Sequence, residues 1–268
     1  MNIRIGDLLG LACGIGFGAM VAVAPAAAAD MTAPAFKAAP AEAAFNWSGF
    51  YVGATLGGGM ASLPVTDKDN FTLFNGGPLV DGQTLKSGGA VGGVHAGYNW
   101  QFAPSILVGL EGDFNWASFR SSDTTCQGFC SDPAQDQLVT SSKLDKFGSL
   151  RARFGLTSDR ALVYLTAGPA WGHVNASVAV NCPLCGSSGM PLALARDSSF
   201  HVGLAVGGAV EYALTQSWLL RAEYMHLDFS NKDAVFQDVF VGLPFVGFRA
   251  SSTATADIAR IGVSYKVW

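Results

Sequence analysis

Charge is scarce in this chain. Of its 268 residues only 13% are Asp, Glu, Lys or Arg, against about 25% in an ordinary soluble domain. The 16 basic and 20 acidic residues leave a net charge of −4. That balance excludes the basic footprint of a nucleic-acid binder. Half of the residues are hydrophobic, which excludes a disordered chain. Long apolar runs are equally scarce. Past Asp30 no stretch reaches the roughly 20 apolar residues that a membrane helix needs. Yet the mean hydropathy is +0.30, and Gly contributes 33 residues. The apolar residues must therefore be spread in some other pattern.

One apolar block stands at the N-terminus. Arg4 is followed by an apolar Gly/Ala-rich stretch from Leu8 to Val23, then Pro25 and the alanines 26–29. A positive start, an apolar stretch and a small-residue site read as a secretory signal peptide over residues 1–29. An uncleaved anchor, or a lipoprotein signal at Cys13, is the competing reading. Residues 30–46 are Ala/Pro-rich and read as an extended periplasmic linker. The folded domain is expected over 47–268.

Within that domain apolar residues alternate. Val108, Leu110, Gly112, Phe114 and Trp116 share one phase, with Gly109, Glu111, Asp113 and Asn115 on the other. Ala259, Ile261, Val263, Tyr265 and Val267 alternate with Arg260, Gly262, Ser264 and Lys266. A period of two means a strand with two unlike faces. Segments of this kind lie near 48–58, 86–102, 106–117, 143–157, 161–180, 198–214, 218–230 and 254–268. The turns at 103–105, 158–160 and 215–217 are tight. The connections near 59–85, 118–142, 181–197 and 231–253 are long. Short turns at one end and long loops at the other mark an outer-membrane barrel. Lipid cannot satisfy an open sheet edge, so the sheet must close. The expected fold is all-β: an eight-stranded antiparallel up-and-down transmembrane β-barrel, with both termini periplasmic and long loops extracellular. A soluble lipocalin-like barrel would point its apolar face inward. Here Trp100, Phe102, Trp116 and Tyr212 sit near strand ends on the apolar face, as an interfacial girdle requires.

Several segments carry a family resemblance. Trp47-Ser48-Gly49-Phe50-Tyr51-Val52-Gly53 resembles the opening of the small outer-membrane β-barrel "porin family" proteins of alphaproteobacteria. These are related to the OmpA-type transmembrane domain and to opacity-type surface proteins. Residues 96–102, 109–114, 151–155, 210–213 and 221–224 fit the same pattern, and the likeness spans about residues 45–268. It implies an integral outer-membrane protein, inserted by the barrel-assembly machinery, in contact with outer-membrane lipid and lipopolysaccharide. The family commonly ends on an in-phase aromatic; here Val267 holds the lipid-facing phase and Trp268 follows it.

The inward phase collects the charge. Glu111, Asp113, Glu211 and Glu223 face Arg151, Arg153, Arg221 and Arg260. Unpaired buried ions are costly, so these should pair across the lumen. An Arg fork suits carboxylates. The set reads as a salt-bridge plug, or else as an ion pathway. Inward glycines (Gly53, Gly93, Gly97, Gly203, Gly207, Gly262) fit a narrow bore. His95 and His201 are inward too. No Ser-x-x-x-His or His-x-Ser spacing falls on a lipid-facing phase, so neither catalysis nor a cofactor is expected. His173 and His226, toward the loop ends, are the candidates for a metal or haem contact, although surface histidines usually have no such partner.

Four cysteines follow the signal. Cys126 and Cys130 lie in the second long loop, Cys182 and Cys185 in the third. An exported protein meets an oxidising compartment, which favours disulfides. Pairing within each loop is the expectation; cross-loop pairs or a four-thiolate zinc site also fit the spacing. The functional expectation is a structural surface barrel. A small-solute diffusion channel and a loop-built adhesin or ligand-binding surface are the alternatives. Loop 231–253, with Phe236, Phe240, Phe245 and Phe248, either extends its flanking strands or forms a binding patch.

Overall fold

The computed structural model describes residues 45–67, 83–125, 137–181, 193–236 and 248–267. The elements are β1 (Gly49–Asp67), β2 (Gln83–Ala103), β3 (Ile106–Thr125), β4 (Gln137–Ser158), β5 (Ala161–Asn181), β6 (Ala193–Ala213), β7 (Trp218–Phe236) and β8 (Phe248–Lys266). Each strand pairs antiparallel with its sequence neighbours, and β1 pairs with β8, so the barrel is closed. Closure leaves no unpaired edge, as lipid demands.

The tight turns lie where the sequence places them. Asp159 adopts φ 50°, a left-handed conformation that Asp tolerates better than most residues. Gly49 has φ 137°, which glycine alone accepts easily, and it swings the preceding segment under the barrel. Phe45, which the sequence places at the end of the linker, is buried in that segment.

The strands are longer than expected, mostly at the long-loop end. They run 19–22 residues, whereas a tilted span needs about 9–11. The barrel wall therefore continues well beyond an apolar band. Part of loop 231–253 is strand as well, since Phe236 pairs with Phe248. The apolar phase faces outward along the band: Trp100, Phe102, Leu110, Trp116, Phe154, Leu165, Tyr212 and Ile261 are all exposed.

Bulges interrupt the ladder above the band. One leaves Asp145 unpaired between Leu144 and Lys146 on β4, and others lie near 117–118 on β3 and 230–231 on β7. A bulge shifts the pleat by one residue. Below Asp145, β4 buries its odd positions Phe147, Ser149, Arg151 and Arg153; above it, Leu144, Ser142 and Thr140 are buried. Were Asp145 paired in the regular ladder instead of bulged, Lys143 would face in and Leu144 out.

Candidate functional site

The lumen is stacked in three layers. At the short-turn end lies an apolar floor of Phe45, Trp47, Leu107, Leu162, Tyr164 and Leu219. Trp47 is fully buried there. Its Nε1 donates to the carbonyl of Asp159 at 3.1 Å, and its backbone N donates to Gln101 Oε1 at 3.0 Å. Lys266 donates to the carbonyl of Asn46 and sits over the Phe45 ring. These bonds hold the N-terminal segment across the mouth.

The middle layer is ionic. All eight charged residues expected there are buried, and their pairing is now explicit. Arg151 bridges Glu223 at 2.5 Å, Asp113 at 2.7 Å and Glu111 at 2.9 Å. Arg153 donates to Glu211 at 2.7 Å and reaches Glu111 at 3.3 Å. Arg221 donates to both oxygens of Glu111, at 2.6 and 2.7 Å. Arg260 donates to Glu223 at 2.7 Å and to Asn115 Oδ1 at 2.7 Å. Glu111 is the hub. It also accepts from Tyr51 Oη at 2.7 Å, and Arg153 donates to the same hydroxyl. Tyr164 donates to Glu211 at 3.0 Å, with the Arg153 guanidinium 3.8 Å over its ring. Tyr51 and Tyr164 thus join the network of charges. His95 is hydrogen-bonded to Ser264 at 2.8 Å, and His201 to Ser199 at 3.0 Å.

The top layer is apolar: Leu63, Leu85, Phe119, Leu144, Phe147 and Phe229 are buried in one cluster with Met225, Leu227 and Ile258. The cluster spans the bore. A Cβ on Gly172 of β5 would meet Phe229 of β7 at 2.9 Å and Leu144 of β4 at 3.2 Å. The strands expected from the alternation do not predict this layer. Its signal is a change of sign: toward the long loops the apolar residues alternate inward and the polar ones outward, as in a soluble barrel.

The outer wall reflects the same inversion. Trp116, Lys146, His173 and Phe200 lie side by side on β3–β6. Nearer the long loops come Arg120, Lys143, Asn175 and Ser198, then Ser122, Ser141, Ser177 and Arg196. Lys143 pairs with Asp145 at 2.7 Å. Ser198 is hydrogen-bonded to Asn175 and His173. On β7–β8, Asp257 accepts from Tyr224 at 2.6 Å and pairs with His226 at 2.8 Å. Both loop-side histidines therefore have protein partners, and among the described residues no cluster of three His, Cys, Asp or Glu forms a metal site. Cys126, Cys130, Cys182 and Cys185 lie outside the described residues.

The profile of the family described as outer membrane protein beta-barrel domain matches residues 19–266. The chain belongs to this family. It is 30% identical over 234 residues to the 31 kDa outer-membrane immunogenic protein of Brucella melitensis, covering 85% of this chain and 87% of that one. It is 29% identical over 195 residues to the 22 kDa outer membrane protein of Rhizobium leguminosarum bv. viciae, covering 73% and 70%. Among solved structures, the outer-membrane protease OmpT from Escherichia coli aligns with a TM-score of 0.51 at 9% identity, over 83% of this chain and 98% of that one. At that identity the likeness is one of fold alone. As a member of this family, the protein is an outer-membrane β-barrel protein, and the resemblance read from its strand motifs is established.

Proposed function

We propose that this outer-membrane barrel is a non-conducting structural and surface protein rather than a porin or an enzyme. The long loops face the cell exterior and both termini face the periplasm. The observation that carries this reading is the sequence of layers along the bore. An eight-stranded barrel is narrow enough for side chains to fill. Here it is filled by a Trp47 floor, an Arg–carboxylate layer and a Phe119–Phe229 ceiling. Ions need a continuous water column, and each apolar layer interrupts it. The name of the Brucella relative, an outer-membrane immunogenic protein, fits a barrel whose loops are presented on the surface.

Single-channel recording of the refolded protein in a planar bilayer tests the reading. No stable conductance is expected. A large steady conductance, comparable to that of a 16-stranded porin, would make the protein a channel instead.

A further inference from the structure

The wall of β3–β6 differs from the rest of the outer surface. Arg120, Lys143 and Arg196 face outward there, beyond the aromatic residues Trp116 and Phe200, and Lys146 faces outward level with them. Only Lys143 of the four has a carboxylate partner among the described residues, namely Asp145. On the β7–β8 wall the outward polar residues beyond Tyr224 include Asp228 and Asp257 instead. In a chain whose net charge is −4, the β3–β6 wall is thus positive among the residues whose side chains are described.

The wall is also concave. A groove of about 650 Å³ is lined by Arg120, Lys143, Arg196 and the hydroxyls and amide around them. A second, of about 630 Å³, adjoins it and shares Lys143 and Asn175. Its other walls include Phe114, Trp171 and Phe200. Hydroxyl-bearing and cationic groups thus lie above aromatic ones along a single path toward the apolar band. An occupant matching both halves has phosphates and sugar hydroxyls at one end and apolar chains at the other.

We propose that the β3–β6 wall binds the phosphorylated sugar headgroup of an outer-leaflet glycolipid. Arg120, Lys143, Lys146 and Arg196 take the phosphates, and Asn175 and Ser198 the sugar hydroxyls. Guanidinium and ammonium groups form charge-assisted hydrogen bonds with phosphate. The aromatic rings below cover the start of the acyl chains. The ligand fills the leaflet on the long-loop side, so the inference rests on the orientation given under Proposed function.

Native mass spectrometry of the full, refolded chain in detergent tests it, with bisphosphorylated lipid A as the probe. The comparators are the dephosphorylated lipid, phosphatidylglycerol and inorganic phosphate. Retention of lipid A is expected to exceed that of each comparator. The variant Arg120→Ser/Lys143→Ser/Arg196→Ser should lose it by about tenfold or more, while Asp257→Asn on the other wall should not. Heat-modifiable migration in SDS verifies that both variants remain closed barrels. Equal binding of dephosphorylated lipid, or full retention by the triple variant, overturns the proposal. Inorganic phosphate that competes fully would reduce the site to a free-anion site and overturn the glycolipid. Labelling of Ser122→Cys on whole cells reports orientation separately. Labelled cells without lipid binding sink this inference alone, whereas unlabelled cells sink the orientation beneath it.

Discussion

Glu111 shows how a single residue can organise the lumen. Its two oxygens meet Arg151, Arg153, Arg221 and Tyr51. Glu111→Gln would leave three guanidinium groups around a neutral amide. Stripping one member from a buried ionic set costs about 3–5 kcal/mol, and urea unfolding in lipid vesicles should show a loss of that order. Adding Arg221→Met should recover part of it, because the second change removes a cation that the first left uncompensated. Strictly additive losses would mean that the residues act independently. Glycines divide the same way by face. A Cβ at Gly97 would stand 2.3 Å from Tyr51 Oη and 2.6 Å from the carbonyl of Leu110. Gly97→Ala should therefore destabilise by about 1–3 kcal/mol through overpacking. At Gly112 the nearest atom is 3.8 Å away, so Gly112→Ala should be neutral or slightly stabilising in the same assay. The identity of the ionic residues was legible from period two alone. Their partners were not: Arg151 reaches Glu223 across the bore, and such a contact depends on the barrel's shear, which no local spacing encodes.

Strands reveal themselves in sequence through a contrast between faces, and that contrast weakens above the apolar band. Residues 118–125 of β3 read Ser-Phe-Arg-Ser-Ser-Asp-Thr-Thr, a polar stretch that resembles a loop. Its outward face meets water, so Arg120 and Ser122 suit it, while Phe119 alone marks the inward face. Strand ends on the tight-turn side were readable because lipid-facing aromatics and turn residues bound them. The bulge at Asp145 was unreadable for a related reason: the segment Lys143-Leu144-Asp145-Lys146-Phe147 alternates only if one residue is skipped. This gives a sharp test. Deleting Asp145 should leave an unbroken alternation from Phe147 through Lys146 to Leu144, with Leu144 still inward, Lys143 still outward and a regular ladder against β5. Hydrogen exchange should show the loop-side half of β3–β5 keeping its protection in the deletion variant, as the ionic layer does. Asp145→Ala keeps the residue count and removes only a partly exposed ion pair, so its cost should be at most about 1 kcal/mol. Loss of protection on deletion but not on substitution would show that the bulge itself, not the inward phase of Leu144, holds this end of the sheet.

At the scale of the molecule the barrel is two solvents' worth of wall in one sheet. Along the band it is apolar outside and polar inside; beyond the girdle the faces exchange. Lipid imposes the first arrangement and water the second. The consequence is a lumen closed by layers of different chemistry in series. Layers in series open only when every one is breached. Phe119→Ala/Phe229→Ala should cost several kcal/mol in stability, about 3–5 for each buried ring, yet it leaves the ionic layer and the Trp47 floor intact. Arg151→Ala/Arg221→Ala loosens the middle but leaves both apolar layers. Removing the chain through Ser48 takes away Phe45 and Trp47, the part of the floor that the N-terminal segment supplies. Each change alone should leave the barrel silent in a planar bilayer. Their combination, if it still shows heat-modifiable migration in SDS, should yield a small ohmic current. If Arg151→Ala/Arg221→Ala alone conducts as well as the combination, the apolar layers are not barriers and the ionic layer is the gate.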